Sequence, residues 1–462
     1  MTSQFKSTPN RRNFMKTAGA ASALSALAVP QVFAQHGSDN TIQLALIGSG
    51  SRGSGAVADA LQVKKAKTKL VAMADVFSER NSLSHKALTD TFASTPEKVA
   101  VPKEQQFVGF DAYRKAMDVL RPGDIAILAA PLAFRWPHFQ YAIERGLHVF
   151  MEKPLVADGV SAKKMLELSK QADEKNLKCG VGLMVRHCRG RRELHQRIAD
   201  GEIGDLINMR AYRMHGPVAT CFSEKKPPER EELLWQIERF HSFIWASGGL
   251  FNDFYVHQID EVCWMKNAWP VKAQALGGRH FRGDYVDQNF DVYAVEYTFD
   301  DGAKFFFDGR TMTGCRNDMS SVVHGTKGSA IVSDSGHTPG KVRTFSGQRQ
   351  HRRDVVWAYP QPEQNPYQLE WDDLVEAVVD DLPYNEVPRG VEASLVSNMG
   401  RIAAHTGREI TFQEALDWPQ ELAPNLTEFT STGPAPVMPD ESGRYPVPMP
   451  GVHPDSEYEV PA

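Results

Sequence analysis

The sequence predicts an α/β protein with a doubly wound parallel sheet, followed by an α+β domain with an antiparallel sheet. Two patterns carry this prediction. Between residues 41 and 151, apolar runs of strand length alternate with segments of helical character, as in a parallel sheet covered by helices. Beyond residue 290, segments rich in β-branched and aromatic residues are joined by short turns, which indicates antiparallel hairpins.

The first βα unit carries a glycine motif. An apolar run at 41–47 leads directly into Gly-Ser-Gly-Ser-Arg-Gly, and a helical segment follows. The glycines are Gly48, Gly50 and Gly53. They permit a tight turn, close approach of a pyrophosphate and close packing of helix on strand, while the helix N-terminus attracts phosphates. With this context the motif predicts a Rossmann dinucleotide-binding domain over residues 40–156.

Asp75 ends the next strand, 22 residues beyond Gly53. An acidic residue at this place binds the ribose hydroxyls of a dinucleotide. Its charge repels a 2′-phosphate, so NAD is favoured over NADP. Arg80 lies nearby and keeps NADP open as the less favoured alternative.

Two further strands end in polar or proline-containing segments. The run 124–130 ends at Pro131, and the run 147–151 ends at Glu152-Lys153-Pro154. Ligands of doubly wound sheets bind at the carboxyl ends of the strands. These residues are therefore expected beside the dinucleotide.

The N-terminus has the features of a targeting segment. Arg11 and Arg12 are followed by Phe14, an apolar stretch at 17–29 and a small-residue cleavage pattern. The apolar stretch is too short to span a bilayer comfortably. Residues 1–35 resemble a twin-arginine (Tat) signal peptide. We therefore expect the Tat translocase as a transient partner, a periplasmic location, and a tightly held cofactor, because no free NAD pool exists there.

Composition excludes other classes. The chain has 462 residues, 42% of them hydrophobic and 24% charged, with a formal net charge of −5, as in a soluble two-domain protein. No long basic run follows residue 40, so no nucleic-acid partner is expected. None of the five cysteines forms a C-x-x-C pair, so zinc and redox motifs are not expected. We expect the cysteines to be scattered, buried thiols.

Together these motifs resemble the Gfo/Idh/MocA family over residues 40–415. The resemblance rests on the glycine loop, Pro131 with His138, Glu-Lys-Pro at 152–154, and two later motifs. The later motifs are Gly248-Gly249-Leu250-Phe251-Asn252-Asp253-Phe254-Tyr255-Val256-His257-Gln258-Ile259-Asp260 and His324-Gly325-Thr326-Lys327-Gly328-Ser329. The resemblance implies a substrate and oligomerisation domain at 157–420, with a large, mostly antiparallel open-faced sheet that also builds a homo-oligomer interface. It also implies that Ser51, Arg52, Pro131, His138, Glu152 and Lys153 contact the cofactor.

Asp253 and His257 form the predicted chemical centre. In a helix, residues four apart share one face. Histidine suits a base that removes a hydroxyl proton, and a cation such as Lys153 stabilises the developing alkoxide. The family resemblance gives Lys153, Asp253 and His257 these catalytic roles. One Asp and one His are too few ligands for a metal site, so no metal is expected.

Five further residues are candidate substrate contacts, and for each a structural role is about equally favoured. They are Arg186, His187, His241, Trp245 and Tyr255. His187 departs from the family pattern, which suggests a different substrate shape. Aromatic faces suit the C–H surfaces of a sugar.

The C-terminal segment 421–462 is rich in proline, so it is neither a helix nor a central strand. We expect either a disordered tail or an arm on a neighbouring subunit. Its aromatic residues, such as Phe429 and Tyr445, favour the arm slightly.

The sequence therefore predicts an NAD-dependent oxidoreductase acting on a sugar, cyclitol or glycoside hydroxyl. One alternative is a glycosidase resembling the NAD-dependent α-N-acetylgalactosaminidases, which use transient oxidation and elimination. A second alternative is a non-catalytic carbohydrate-binding protein. Retention of the loop glycines with Lys153, Asp253 and His257 argues against this second alternative.

Overall fold

A computed structural model describes residues 40–280 and 283–459 of the chain. The Tat signal predicted at 1–35 lies outside the described residues and stays a prediction. From Asn40 onward the chain belongs to one compact unit, and this unit contains two sheets.

The first sheet has six strands, all paired in parallel, in the order β3-β2-β1-β4-β5-β6. They are β1 (Thr41–Ile47), β2 (Lys67–Asp75), β3 (Gln106–Val108), β4 (Ile125–Leu128), β5 (His148–Met151) and β6 (Cys179–Val181). The predicted doubly wound sheet is confirmed, and it continues past residue 156 through β6. The strand order reverses between β1 and β4, the switch point beside which such sheets bind ligands.

Helices cover both faces of this sheet. They are α1 (Ser51–Ala60), α2 (Ser78–Thr91), α3 (Ala112–Asp118), α4 (Arg135–Glu144) and α5 (Gly159–Glu174). Every residue of β4 and β5 is buried, as expected for central parallel strands. Helix α5 begins with a capping box in which Asp158 and Ser161 satisfy each other's backbone N–H groups.

The second sheet has nine strands in the order β14-β13-β12-β11-β7-β10-β9-β8-β15. They are β7 (Leu206–His215), β8 (Lys272–Gly278), β9 (Val292–Thr298), β10 (Lys304–Thr311), β11 (Ser321–Gly325), β12 (Ser329–Ser333), β13 (Arg343–Phe345), β14 (Val355–Ala358) and β15 (Ile410–Thr411). Strands β7 and β10 pair in parallel, whereas the other pairs between its described strands are antiparallel. The antiparallel hairpins predicted beyond residue 290 are confirmed, as β9 with β10 and as β11 with β12.

The remaining helices are α6 (Arg189–Ala199), α7 (Glu232–Glu238), α8 (Ile244–Ser247), α9 (Gly249–Lys266), α10 (Pro366–Val379), α11 (Val387–Thr406) and α12 (Phe412–Leu416). Strands β9 and β10 alternate buried and partly exposed residues, the pattern of a sheet covered on one face. On the covered face, the rings of Phe251 and Tyr255 from α9 lie 5.5 and 5.0 Å from the ring of Phe307. This packing fixes the rotation of α9 on the sheet.

The proline-rich C-terminal segment packs on the body of its own chain. Glu457 is buried and accepts hydrogen bonds from Arg401 Nη2 and His405 Nδ1 of α11, each at 2.7 Å. Tyr445 is also buried, 4.8 Å from the ring of Phe243. Over its described part the segment is therefore not a disordered tail, because it buries aromatic and charged groups within its own subunit.

No described helix is long and apolar enough to cross a membrane. Four cysteines are buried, as the sequence predicts, and Cys315 is exposed. The buried ones are Cys179, Cys188, Cys221 and Cys263.

Candidate active site

A cleft of about 970 Å³ opens at the carboxyl ends of the parallel strands. Every residue predicted to bind the cofactor lies on its wall. These residues are Gly48, Gly50, Ser51, Arg52, Gly53, Asp75, Pro131, His138, Glu152 and Lys153. The predicted catalytic residues Asp253 and His257 line the same cleft. The fold thus brings together motifs that lie about a hundred residues apart in sequence.

The glycine loop has the shape that a dinucleotide requires. Gly48 has a φ of 94°, and a Cβ there would lie 2.4 Å from the backbone nitrogen of Ala130. A Cβ at Gly53 would lie 2.2 Å from the carbonyl oxygen of Gly48, so this glycine lets α1 approach the loop. At Gly50, no atom lies within 4 Å of the Cβ position. The open space over Gly50, next to the N-terminus of α1, fits a pyrophosphate.

Asp75 ends β2 and is held in one orientation. Its carboxylate accepts hydrogen bonds from the backbone N–H groups of Ser49 at 2.8 Å and Phe77 at 3.0 Å. Burial raises the pKa of Asp75, and the backbone donors oppose this effect. The guanidinium of Arg80 lies over the Phe77 ring, 5.0 Å from its centroid, and also lines the cleft. Asp75 and Arg80, the two groups that bear on the choice between NAD and NADP, therefore lie near each other on the cleft wall, at what we call its ribose end.

Arg52 connects the glycine loop to the end of β5. Its Nε donates to Glu152 Oε1 at 3.1 Å, and its guanidinium lies over the ring of Tyr367, 4.9 Å from the centroid. The contact holds the loop against the segment that carries Lys153. Farther along the wall, burial lowers the pKa of His138 to about 3, so this imidazole is neutral at physiological pH.

Helix α9 directs Asp253 and His257 into the cleft, as their spacing predicts. Lys153 Nζ donates to the backbone carbonyl of Asp253 at 2.7 Å and lies 3.5 Å from its Oδ1. His257 makes no hydrogen bond to any described residue, and its Nδ1 is buried. Burial, with His337 and Lys153 adding to it, lowers the pKa of His257 well below its usual value. His257 is therefore neutral at physiological pH, the form that a base requires.

His241, a predicted substrate contact, lines the cleft beside Asp253. Its Nε2 lies 3.5 Å from Asp253 Oδ2, and its Nδ1 lies 2.9 Å from the hydroxyl oxygen of Thr220. Burial lowers its pKa, while the carboxylate of Asp253 opposes this effect. Asp253 thus lies between Lys153 and His241 and contacts both.

Two family models match the chain. Residues 42–183 match the oxidoreductase family with an NAD-binding Rossmann fold, and residues 191–331 match the C-terminal domain of the GFO/IDH/MocA group. Together they cover more than half of the chain. The protein belongs to the Gfo/Idh/MocA family. The NAD-binding fold predicted from the glycine motif is thereby confirmed.

Several known proteins are similar to this chain. The scyllo-inositol 2-dehydrogenase (NAD(+)) of Bacillus subtilis strain 168 is 26% identical over 219 residues, which are 47% of this chain and 57% of that relative. The match therefore spans little more than half the length of this curated relative. The aldose-aldose oxidoreductase of Caulobacter crescentus, complexed with glycerol, aligns with a TM-score of 0.62 at 15% identity, over 80% of this chain and 99% of its own.

The scyllo-inositol dehydrogenase of Lactobacillus casei, with bound NAD(H) and scyllo-inositol, aligns with a TM-score of 0.57. The identity is 17%, over 81% of this chain and 99% of that structure. At such identities the structural matches show that the fold is shared.

Arg186 and His187, predicted as substrate contacts, do not line the cleft of this Gfo/Idh/MocA protein. Arg186 Nε donates to Asp260 Oδ2 at 2.9 Å. His187 Nδ1 lies 2.8 Å from Asp373 Oδ2. Both side chains use their polar atoms to join elements of the fold.

Trp245 and Tyr255 also lie outside the cleft wall, and both are fully buried in the core. The Trp245 indole donates to Gln236 Oε1 at 2.7 Å, and the Tyr255 hydroxyl lies 3.2 Å from Thr311 Oγ1. Their aromatic character serves packing. Neither position supports the predicted sugar contact.

Sequence reasoning missed Arg213, His337 and Tyr367, which all line the cleft. Arg213 belongs to β7, His337 to the connection between β12 and β13, and Tyr367 to α10. None belongs to a local motif, so no sequence signal separated these residues from other polar residues of the second domain. In the part of the chain that the structure describes, no group of three His, Cys, Asp or Glu residues is placed to hold a metal ion.

Proposed function

We propose that this protein is an NAD-dependent oxidoreductase that moves hydride between tightly bound nicotinamide and a hydroxyl-bearing carbon of a sugar, cyclitol or glycoside. The observation that carries the proposal is the meeting of Lys153, Asp253 and His257 in the dinucleotide cleft. The dehydrogenase named for the B. subtilis relative supports a cyclitol-like substrate. When bound, NAD supplies the hydride acceptor.

Lys153 holds the reacting oxygen in this proposal. Its ammonium is anchored by the Asp253 carbonyl at 2.7 Å, and a second contact with Oδ1 at 3.5 Å limits its movement. A fixed cation at this position stabilises the charge that develops on an alcohol oxygen as its proton leaves. Asp253 therefore positions Lys153 and leaves the ammonium with unused donors for the substrate.

His257 receives the hydroxyl proton. Its Nδ1 is buried without a partner, so Nε2 is the nitrogen left for the substrate. Its lowered pKa keeps the ring neutral and ready to accept a proton. Reduction uses the same groups in reverse, with a protonated His257 as the donor. General acid–base catalysis of this kind contributes about 10²–10⁴-fold to a rate.

We also propose that the precursor is exported through the Tat translocase to the periplasm and keeps its NAD there. The support is the twin-arginine sequence at residues 11–12. Retention is favoured by Phe429 of the C-terminal segment, whose ring lies 6.5 Å from Phe110 and 6.3 Å from Phe134. Both of these partners line the cleft. Replacing Arg11 and Arg12 with Lys should leave the precursor in the cytoplasm, and unchanged export on fractionation would refute the assignment.

We further propose a homo-oligomer formed through the less covered face of the second sheet. Its strands present partly exposed residues there, among them Phe306 and Leu276. Light scattering on the purified protein tests this, and a monomer at micromolar concentration contradicts it.

The deciding experiment begins with the nucleotide that purified protein releases on denaturation. We expect NAD, because Asp75 repels a 2′-phosphate; NADP alone would contradict the assignment. The intact holoprotein is then mixed with sugars, cyclitols and glycosides, and reduction of bound NAD is followed at the nicotinamide absorbance. Cleavage of an aryl glycoside without net reduction would instead favour a glycosidase. Absence of both reactions over a broad panel would favour a binding protein.

A further inference from the structure

One guanidinium at the substrate end of the cleft has no carboxylate partner. Arg213 lines the cleft, and among the described residues its side chain makes a single hydrogen bond, from Nη1 to His337 Nε2 at 2.6 Å. Its Nε is buried and makes no hydrogen bond. His337 packs in turn against the proposed base, with 4.5 Å between its ring centroid and that of His257. A charge with unused donors therefore lies one side chain away from the base.

Three other cationic side chains of the cleft contact oxygen atoms of the protein itself. Arg52 pairs with Glu152, and Lys153 contacts Asp253. Arg135 is buried and donates to the backbone carbonyls of Leu128 and Ala130.

At the ribose end, Arg80 stacks on Phe77 and reaches the carbonyl oxygen of Glu238. Arg213 differs from these groups because it borders His257 through His337 and leaves its donors to the cleft.

His337 sets the orientation of this guanidinium. To accept from Arg213, its Nε2 must be unprotonated, so the ring is neutral and carries its proton on Nδ1. Burial lowers the pKa of His337 well below its usual value, and Arg213 adds to the effect. The contact therefore stays intact across physiological pH, and His337 acts as a positioning residue for Arg213.

We infer that Arg213 binds a carboxylate of the substrate, so the substrate is a sugar acid such as a uronate. A guanidinium presents paired donors that match the two oxygens of a carboxylate. A half-buried cation without a counterion is costly, and one bound monoanion balances its single charge. A phosphate dianion would leave a negative charge uncompensated. The redox part of this inference rests on the proposed function, whereas the binding part does not.

Binding of an anion has a further consequence for the base. The charge of Arg213 lowers the pKa of His257. When a carboxylate neutralises this charge, the pKa of His257 rises towards its ordinary value, and the bound substrate makes its own proton acceptor more basic. We expect the acid limb of kcat to lie at higher pH than the acid limb of kcat/KM, since kcat reports groups in the complex.

The test compares Arg213→Met with Arg210→Met in the NAD-loaded holoprotein. Arg210 lies on the same strand, is half exposed and contacts Asp308 at 3.5 Å outside the cleft, so it is a matched control. The probes are D-glucuronate, D-glucose and D-glucose 6-phosphate. Each is measured by calorimetric binding and by reduction of bound NAD, with nucleotide content and Tm recorded for each variant.

We expect the native protein and Arg210→Met to prefer glucuronate to glucose in binding by about 10–100-fold, the worth of a charge-assisted hydrogen bond. In Arg213→Met this ratio should fall close to one. The same ratio in both variants, or a preference for the phosphate, overturns the inference. Arg213-dependent binding of glucuronate with no reduction by any sugar would support the inference while contradicting the proposed redox function. Reduction of bound NAD by neutral sugars, without Arg213-dependent binding of glucuronate, would support the proposed redox function while contradicting the inference.

Discussion

The two ends of the cleft differ in which protein atoms line them. The dinucleotide end surrounds the glycine loop, and the substrate end surrounds Lys153 and His257. The dinucleotide end consists largely of backbone, because the loop glycines and the start of α1 offer N–H groups and open space. The substrate end consists of side chains from separate elements. Lys153 follows β5, Arg213 belongs to β7, His257 to α9 and His337 to a loop after β12.

This difference explains why the dinucleotide end can be recognised from one motif, whereas the substrate end can be recognised only in part. A backbone site is made by consecutive residues, so its glycines stand together in a motif. A side-chain site needs only that distant elements meet. Asp253 and His257 share a helix and were predicted from their spacing. Arg213 and His337 share no spacing with them and could be located only from the packing of the second sheet.

The largest expected effect separates chemistry from cofactor binding. His257→Ala removes the proton acceptor and Lys153→Ala removes the fixed cation, so each should lower turnover about 10²–10⁴-fold. Both should keep their nucleotide, because the pyrophosphate site lies elsewhere in the cleft. Single-turnover reduction of bound NAD, with nucleotide content measured in parallel, checks this.

Lys163→Ala is the control for these variants, because Lys163 forms an exposed pair with Asp417 away from the cleft. Near-normal turnover of His257→Ala at full nucleotide occupancy would contradict the catalytic role of His257 and leave α9 with a structural role only. The fold would be unaffected by that result.

The second prediction concerns a substitution that weakens nucleotide binding without affecting the substrate end of the cleft. Gly50→Ala places a methyl group in the space proposed for the pyrophosphate, where no protein atom lies within 4 Å. The protein should fold normally and bind nucleotide at least about tenfold more weakly, since hydrogen bonds to charged groups are worth ~1.5–3 kcal/mol each. Chromatography of extracted nucleotide and a thermal melt measure the two effects.

Gly48→Ala is the contrasting variant. Its φ of 94° and a Cβ 2.4 Å from the Ala130 nitrogen predict loss of stability as well as nucleotide. Full nucleotide content in Gly50→Ala would show that the pyrophosphate lies elsewhere.

The third prediction concerns pH at the substrate end. Because the pKa of His257 is lowered, the neutral base persists below about pH 6.5, the ordinary value. The acid limb of kcat/KM should therefore lie below about pH 6.5, with activity lost only as pH falls through the lowered pKa. In Arg213→Met the limb should move to higher pH, because a neighbouring positive charge is gone. A limb at or above the ordinary histidine value in the native protein would exclude His257 as the titrating base.

The smallest expected effect is a pH dependence of folding stability that arises from Glu370, near the dinucleotide end of the cleft. Glu370 of α10 is buried, neither carboxylate oxygen makes a hydrogen bond, and burial raises its pKa well above the usual value, with Glu152 adding to the effect. The folded state therefore holds a proton that the unfolded chain releases above about pH 4.3. The free energy of unfolding should fall as pH rises from there through the raised pKa, by up to ~1.4 kcal/mol per pH unit.

Glu370→Gln should remove this component. Between about pH 5 and about pH 8, urea unfolding should show a smaller loss of stability in the variant than in the native protein. The exposed Glu79→Gln serves as the control. An equal loss in all three proteins would indicate that Glu370 is ionised in the folded state.

Strands β1, β2, β4 and β5 were predictable because each contains an apolar run ended by glycine, proline or a charged residue, whereas the short, partly exposed β3 has no such signal. The hairpin of β9 and β10 was predictable for a similar reason, since its turn residues are local. The roles of Tyr255 and Trp245 were not, because an aromatic residue serves a core or a sugar site equally well in sequence. The packing of the C-terminal segment on its own subunit was not predictable either, because its partner Arg401 lies far away in the chain.

Local sequence alone was enough to define the Rossmann sheet, the glycine loop with Asp75, and the helix that carries Asp253 and His257. Each depends on residues within a few turns of one another, where backbone geometry and side-chain period act directly. Three-dimensional packing was needed to establish that Lys153 contacts Asp253 and that Arg186 pairs with Asp260. It was also needed to show that Arg213 and His337 lie beside the proposed base. These contacts follow from how the second sheet and its helices pack over the first, and no local spacing encodes that packing.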